Sequence, residues 1–256
     1  LDAKPYHMGR IDSDLMYNIV KKWSWGNSES DKIYHDPETR KNSISFRSNL
    51  SRLSEVLISE GKFKEAEEII DLAFSKMPID YYGYYSLWTP FIQGYYRIGR
   101  DDKAKEIFKK ISFKYSDKLN YYSSLEIYNQ YDVGEEIIAD IERFRNLIET
   151  AQNSGEKEIL SDQIKSFISS SEKFNYIYGE YDYYISLSGF IIKLLELNEI
   201  EYSRVIIDKI EEQLIRRVSV FSNIDEEEQV YYIEGISSDI NEYSRLVSKI
   251  ELYDLE

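Results

Sequence analysis

The 256-residue chain has no cysteine, only four prolines, eleven glycines and two histidines. Without cysteine there are no disulfides, no thiolate metal sites and no cysteine nucleophile, although no compartment is fixed by that absence. So few glycines and prolines argue against a turn-rich β fold, and abundant Glu, Lys, Leu and Ile favour helices. Basic residues are outnumbered, 32 Lys and Arg against 47 Asp and Glu, for a formal charge of −15. Binding along a phosphate backbone needs clustered Lys and Arg, so no nucleic-acid partner is expected. No signal peptide is visible, and no apolar run approaches the roughly 20 residues that cross a bilayer. The longest uncharged stretch, Tyr81 to Tyr96, is rich in tyrosine and interrupted by Pro90. A Walker loop, GxGxxG and GxSxG are all missing, so no catalytic residue and no cofactor are assigned.

What is present is helical periodicity. After an extended piece around Pro5, Asp12 or Ser13 caps a short helix with Leu15, Met16, Ile19, Val20 and Trp23 on one side, stopped at Gly26. A polar loop follows. Asp36 as N-cap and Pro37 at the first position then open a helix to Glu60, with an apolar stripe of Ile44, Phe46, Leu50, Leu53, Val56 and Leu57. Gly61 breaks it. A second helix from about Lys64 to Met77 turns Ala66, Ile69, Ile70, Ala73 and Phe74 inward, and Pro78 closes the unit.

Leu50, Leu53, Leu57, Gly61, Ala66, Ile70, Ala73 and Pro78 stand at the offsets of a tetratricopeptide repeat. Small residues, Ser54 and Ala66, let the two helices touch while larger ones fill the gaps. A second copy reads Trp88, Phe91, Tyr95, Gly99, Ala104, Phe108 and Ile111, with Ile92 in place of the small helix-A residue. The spacing from Gly61 to Gly99 is 38 residues (99 − 61), against a usual period of about 34. The connection Asp80 to Tyr85 is expected to absorb the difference. Beyond Ser116 the repeat fades. Helices fit Asp117 to Gln130, a stretch to Gln152 capped by Asp132 with Glu135, Glu156 to Tyr178, Asp182 to Leu197, Glu199 to Val218 and Asp225 to Leu255. A turn is expected at Asn153 to Gly155 and a break near Gly235. The pair flanking Asn198, with Ser203 in the small position, reads as a degenerate third repeat. The expected fold is therefore all-α, a right-handed tetratricopeptide-like array of helical hairpins. Residues 1–36 cap it, 37–116 form two repeats, and 117–256 form a helical extension.

Candidate chemistry is sparse. His7 and His35 could pair with Asp12, Asp14 or Asp36 around a metal, but loop histidines are commonly just solvated, and no metal is assigned. Arg10, Asp12 and Asp14 flank a helix start, where a cap and a local ion pair explain them. The acids Asp225 to Glu228 suit a helix N-terminus. Tyrosine is the abundant oddity, 24 residues with pairs at Tyr81-Tyr82, Tyr84-Tyr85, Tyr95-Tyr96, Tyr121-Tyr122 and Tyr231-Tyr232, and a cluster from Tyr176 to Tyr184. In each pair one ring can face the core while the other meets water; a stacking surface for sugar or peptide, or an aromatic belt at a membrane interface, is the functional version. Helix A of such repeats lines a groove that holds peptides, which places Ser48, Ser51, Glu55, Gln93, Tyr96 and Arg97 there.

GRIDSDLMYN (Gly9 to Asn18), KKWSWGN, the stretch from Ile33 to Lys62 and the GYYRIGRDDKAKEI block resemble, as an ordered set, the C-terminal region of a bacterial family of multi-spanning membrane proteins. That family is known as a domain of unknown function, with a membrane part similar to dolichyl-phosphate-mannose protein mannosyltransferases. The likeness is best over Gly9 to about Leu125, with Gly9, Arg10, Asp12, Asp14, Tyr17 and Asn18 its distinctive element. It implies a non-catalytic tail on the extracytoplasmic face, joined to the membrane through upstream helices and meeting a protein or peptide partner. The transferase's own membrane part or an acceptor protein would serve. A chain cut after the last membrane helix fits Leu1 as first residue. The alternative is a free-standing sugar-binding protein or enzyme using the tyrosine clusters and the Arg10–Asp14 acids; a cytoplasmic adaptor is a third reading.

Overall fold

A computed structural model of the chain describes residues 9–151, 157–178 and 184–254. Among the described residues all regular structure is helical. The helices are α1 (Ser13–Val20), α2 (Pro37–Ser59), α3 (Phe63–Lys76), the short α4 (Ile79–Tyr82), α5 (Thr89–Arg97) and α6 (Asp101–Ser124). Then come α7 (Ile127–Asp132), α8 (Gly134–Ala151), α9 (Lys157–Ser171), α10 (Ser188–Glu196), α11 (Ile200–Phe221) and α12 (Glu226–Tyr253). The 3₁₀ turns Tyr85–Trp88, Glu172–Tyr178 and Ile185–Leu187 fill connections. The chain forms two compact units, Leu1–Phe113 and Lys114–Glu256.

In the first unit the expected start signals act as read. Asp36 accepts from the backbone N–H groups of Glu38 and Thr39 at 2.9 and 3.0 Å, and Pro37 takes the first position of α2. Helix α2 ends in a turn where Gly61 adopts φ +75°. There Lys62 N–H donates to Leu57 O at 2.9 Å and Gly61 N–H to Ile58 O at 3.0 Å, a Schellman closure. Helices α2 and α3 share the most extensive contact of the unit, and Leu50, Leu53, Leu57, Ala66, Ile70 and Ala73 are buried in it.

The same turn recurs. At Gly99 (φ +73°) Arg100 N–H reaches Tyr95 O at 2.8 Å, and at Asn198 (φ +61°) Glu199 N–H reaches Leu194 O at 2.8 Å. Counted from each left-handed residue, the burial pattern also repeats. Eleven, eight and four residues before it stand Leu50, Leu53 and Leu57; Trp88, Phe91 and Tyr95; Leu187, Phe190 and Leu194, all buried. Five residues after it stands a buried small side chain, Ala66, Ala104 or Ser203, and nine and twelve after it Ile70 and Ala73, Phe108 and Ile111, or Ile207 and Ile210. Three helical hairpins thus share one register, two in the first unit and one in the second.

Several local expectations shift. The second hairpin has no small residue at Ile92; close approach is made instead by Gly94, where an added Cβ would lie 2.9 Å from Ile70 Cδ1 and 3.5 Å from Ile58 Cδ1. The stretch after Pro78 is structured as α4 and a 3₁₀ turn. No break occurs at Ser116: α6 runs on to Ser124, and the helix expected to reach Gln130 is interrupted there before α7. Asp132 ends α7 and does not cap α8, which begins two residues later. Gly235 does not break α12, whose packing against α10 and α11 outweighs one weak helix former. On α1 only Ser13 and Val20 are buried, and Leu15 and Ile19 face outward. Phe46 is also exposed, and its place in the core is taken by Arg47. The turn expected at 153–155 lies outside the described residues.

The second unit has its own aromatic spine. Tyr115 stacks on Phe144 (5.7 Å between centroids), Phe144 meets Phe167 edge-on at 5.6 Å, and Phe167 meets Phe190 at 5.3 Å. Helices α11 and α12 pack closely, with Ile206, Ile210, Leu246 and Ile250 between them and their neighbours.

Candidate functional site

Short local motifs set out the candidates in the first unit, and tertiary contacts decide what each can do. The Gly9–Asn18 element is engaged in holding α1 onto the first hairpin. Asp12 caps α1 by accepting from Leu15 N–H at 2.9 Å, and Arg52 donates to Gly9 O at 2.8 Å. Asp14 pairs with Lys62 at 2.7 Å, and Ser13 Oγ donates to Glu60 at 2.6 Å. Tyr17 Oη donates to Glu68 at 2.5 Å, where Lys21 also pairs at 2.7 Å. Hydrogen bonds from Lys21 and then Tyr17 hold the Glu68 carboxyl below its ordinary range; the reciprocal bond from Glu68 raises Lys21 to about 12. Asn18 Nδ2 donates to Asp14 O at 2.8 Å, and Arg10 is exposed. These side chains serve as cap, ion pairs and clamp, and they do not converge on a cleft.

The six groove residues lie on two helices in contact, Ser48, Ser51 and Glu55 on α2, Gln93, Tyr96 and Arg97 on α5. Glu55, Gln93 and Arg97 are exposed, the other three partly so. Behind them α3, α5 and α6 are tied by charge. Tyr95 Oη donates to Asp71 at 2.6 Å, Lys103 bridges Glu67 at 2.9 Å and Asp71 at 2.7 Å, and Arg100 pairs with Glu67 at 2.8 Å. Burial, followed by the bond to Asp71, pushes the Tyr95 phenol upward, so it stays a donor.

Arg47 is fully buried and, among the described residues, has no carboxylate partner. Its guanidinium donates to Gly83 O at 2.8 Å, Tyr84 O at 3.3 Å and Ser43 Oγ at 2.7 Å, and lies 5.1 Å from the Trp88 ring centroid. Burial lowers it to about 10, still a cation at neutral pH. Sequence periodicity gives no sign of this residue, since an arginine in a helix reads as surface. Its effect is to fix the connection after α4, where Tyr84 holds φ +46°.

A pocket of about 470 Å³ opens where the Trp-Ser-Trp segment folds back on α2. Its aromatic wall is Trp23, Trp25 and Phe46, with centroids 5.5 to 5.8 Å apart, and Met77 and Tyr82 line it further in. The remaining lining is Ser24, Ser28, Thr39, Asn42 and Ser43. None of these residues is charged, in a chain where 31% are. Helical periodicity puts Trp23 and Phe46 on core faces and gives no sign of this pocket, which depends on the fold of residues 23–25 over α2.

His35 is buried, stacked on Tyr81 at 5.6 Å and near Tyr82 at 4.9 Å. Its expected companion His7 lies outside the described residues. Among the described residues no three His, Asp or Glu side chains are arranged to hold a metal, and no helix is long and apolar enough to cross a membrane. Of the tyrosine pairs, Tyr82, Tyr95 and Tyr122 are buried beside more exposed neighbours, whereas Tyr231 and Tyr232 are both exposed. The 176–184 cluster falls partly outside the described residues. Comparison with protein-family models, with curated proteins and with solved structures returns no match.

Proposed function

We propose that this chain is a non-catalytic interaction domain of the tetratricopeptide type, which holds a peptide or helix of a partner protein along α2 and α5. The observation that carries the reading is the shared register of the hairpins turning at Gly61, Gly99 and Asn198, with a small buried residue five positions on in each. Such hairpins bury their inner faces against neighbours and leave helix A to line a groove. The engagement of Asp12 and Asp14 in a cap and an ion pair supports a scaffold role for the acids near α1. By its resemblance to membrane-protein tails, the domain is proposed to work on the extracytoplasmic face, with an acceptor protein or the transferase-like membrane part as partner.

Panning a random peptide library on the folded chain tests the groove. Selected peptides are expected to lose at least about tenfold in affinity with Glu55→Lys or Arg97→Glu, each with an unchanged melting temperature. Peptides that ignore both changes overturn the assignment. An alkaline phosphatase reporter, active only outside the cytoplasm, fused to the full-length gene product tests the location, and an inactive fusion that is stably made would refute it.

A further inference from the structure

We propose that the pocket under Trp23 and Trp25 binds a neutral saccharide, its pyranose face lying on the indole rings. The inference is independent of the groove on α2 and α5. It starts from the contrast among the three tryptophans. Trp88 is fully buried, as a core residue should be, whereas Trp23 and Trp25 are only partly covered and edge an open pocket. Its size falls within the roughly 300–1,000 Å³ of ligand sites, which typically join apolar walls to a few polar groups.

The polar groups divide by engagement. Ser28 Oγ donates to Lys76 O, Ser43 Oγ to Arg40 O and Thr39 Oγ1 to Asp36. Tyr82 Oη donates to Ser28 O. Among the described residues, the Asn42 amide, the Ser24 hydroxyl and both indole N–H groups make no hydrogen bond. Donors and acceptors beside aromatic faces are what a ring with one C–H face and outward hydroxyls requires.

The lining argues against charged ligands. A cation would need a carboxylate or an open cage of rings, but the lining has no acid and centroids under 6 Å apart leave no gap for an ammonium group between them. An anion would need a cation, and Arg47 sits behind Ser43 with its guanidinium held by Gly83 O and Tyr84 O.

Titration of the full chain with neutral methyl hexosides and N-acetylhexosamine oligomers, followed by tryptophan emission, tests the site. Trp88 is sealed from solvent, so a change in emission reports Trp23 and Trp25. A saturable change is expected, tighter for oligomers than monomers and absent for glucuronate at the same concentration. Trp25→Ala and Asn42→Ala are each expected to weaken it by at least about tenfold. Should Trp25→Ala fail to fold, Asn42→Ala, at an exposed position on α2, carries the test. No saturable change with any neutral sugar overturns the proposal, as does preference for glucuronate, indifference to Asn42→Ala, or saturation by an apolar peptide that sugars do not displace.

Discussion

At the residue scale two positions decide how the first unit packs. Arg47 is a buried cation balanced by backbone carbonyls and aromatic faces, so each of its donors matters. Arg47→Ala would open a cavity and strip donors from the partly buried carbonyls of Gly83 and Tyr84, for an expected loss of about 3 kcal/mol in urea unfolding. Gly94 sets opposing effects against each other. Alanine there would gain about 1 kcal/mol of helix propensity, but its Cβ would press on Ile70 Cδ1 at 2.9 Å, and overpacking costs roughly 1–3 kcal/mol. Ile70 Cδ1 is the free end of its side chain, but Ile70 is fully buried, so its shift must disturb neighbours and the clash should win. Gly94→Ala is expected to destabilise by about 1 kcal/mol, and a rise in melting temperature would show that α3 and α5 are less closely packed than described.

At the element scale the hairpin turns are the repeating device, so each should respond to loss of its left-handed residue. Gly61→Ala and Gly99→Ala each force a Cβ into left-handed backbone, at about 1 kcal/mol apiece. Asn198→Ala keeps a Cβ that is already there and loses only the asparagine's tolerance of that backbone, a smaller cost. Asn198→Gly is expected to be neutral or slightly stabilising, as urea midpoints would reveal. Helix α12 offers the opposite case. Gly235 has ordinary helical backbone and open space where a Cβ would go. Gly235→Ala should therefore stabilise by about 0.5–1 kcal/mol, and any loss would mean that α12 bends there.

At the scale of the whole molecule, charge sets the response to acid. Hydrogen bonds, above all from lysines, hold Glu29 (Lys76), Glu60 (Lys62), Glu67 (Lys103) and Glu68 (Lys21) below the ordinary value of 4.5. A depressed carboxyl stabilises the fold above its unfolded value, and that contribution is lost as pH falls through the folded value. The melting temperature should therefore be steady from pH 7 to about 4.5 and fall below it, less steeply in 1 M salt because these pairs are near the surface. A melting temperature unchanged at pH 3 would show that these four pairs contribute nothing.

The sequence alone determined what depends on neighbours within a few residues. Asp36 and Pro37 start a helix, Gly61 and Gly99 end hairpin helices, and the acids at 225–228 lie at the start of α12, because caps, left-handed turns and dipoles act over one turn. Even the third hairpin was legible from Asn198 and Ser203. Only the tertiary structure decided what depends on residues far apart in the chain. It buried Arg47 by bringing Gly83 and Tyr84 to it, moved close approach from Ile92 to Gly94 because Ile70 lies opposite, and folded Trp23 and Trp25 over Asn42 into an uncharged pocket. A helical period shows which face is apolar; it does not show what that face will meet.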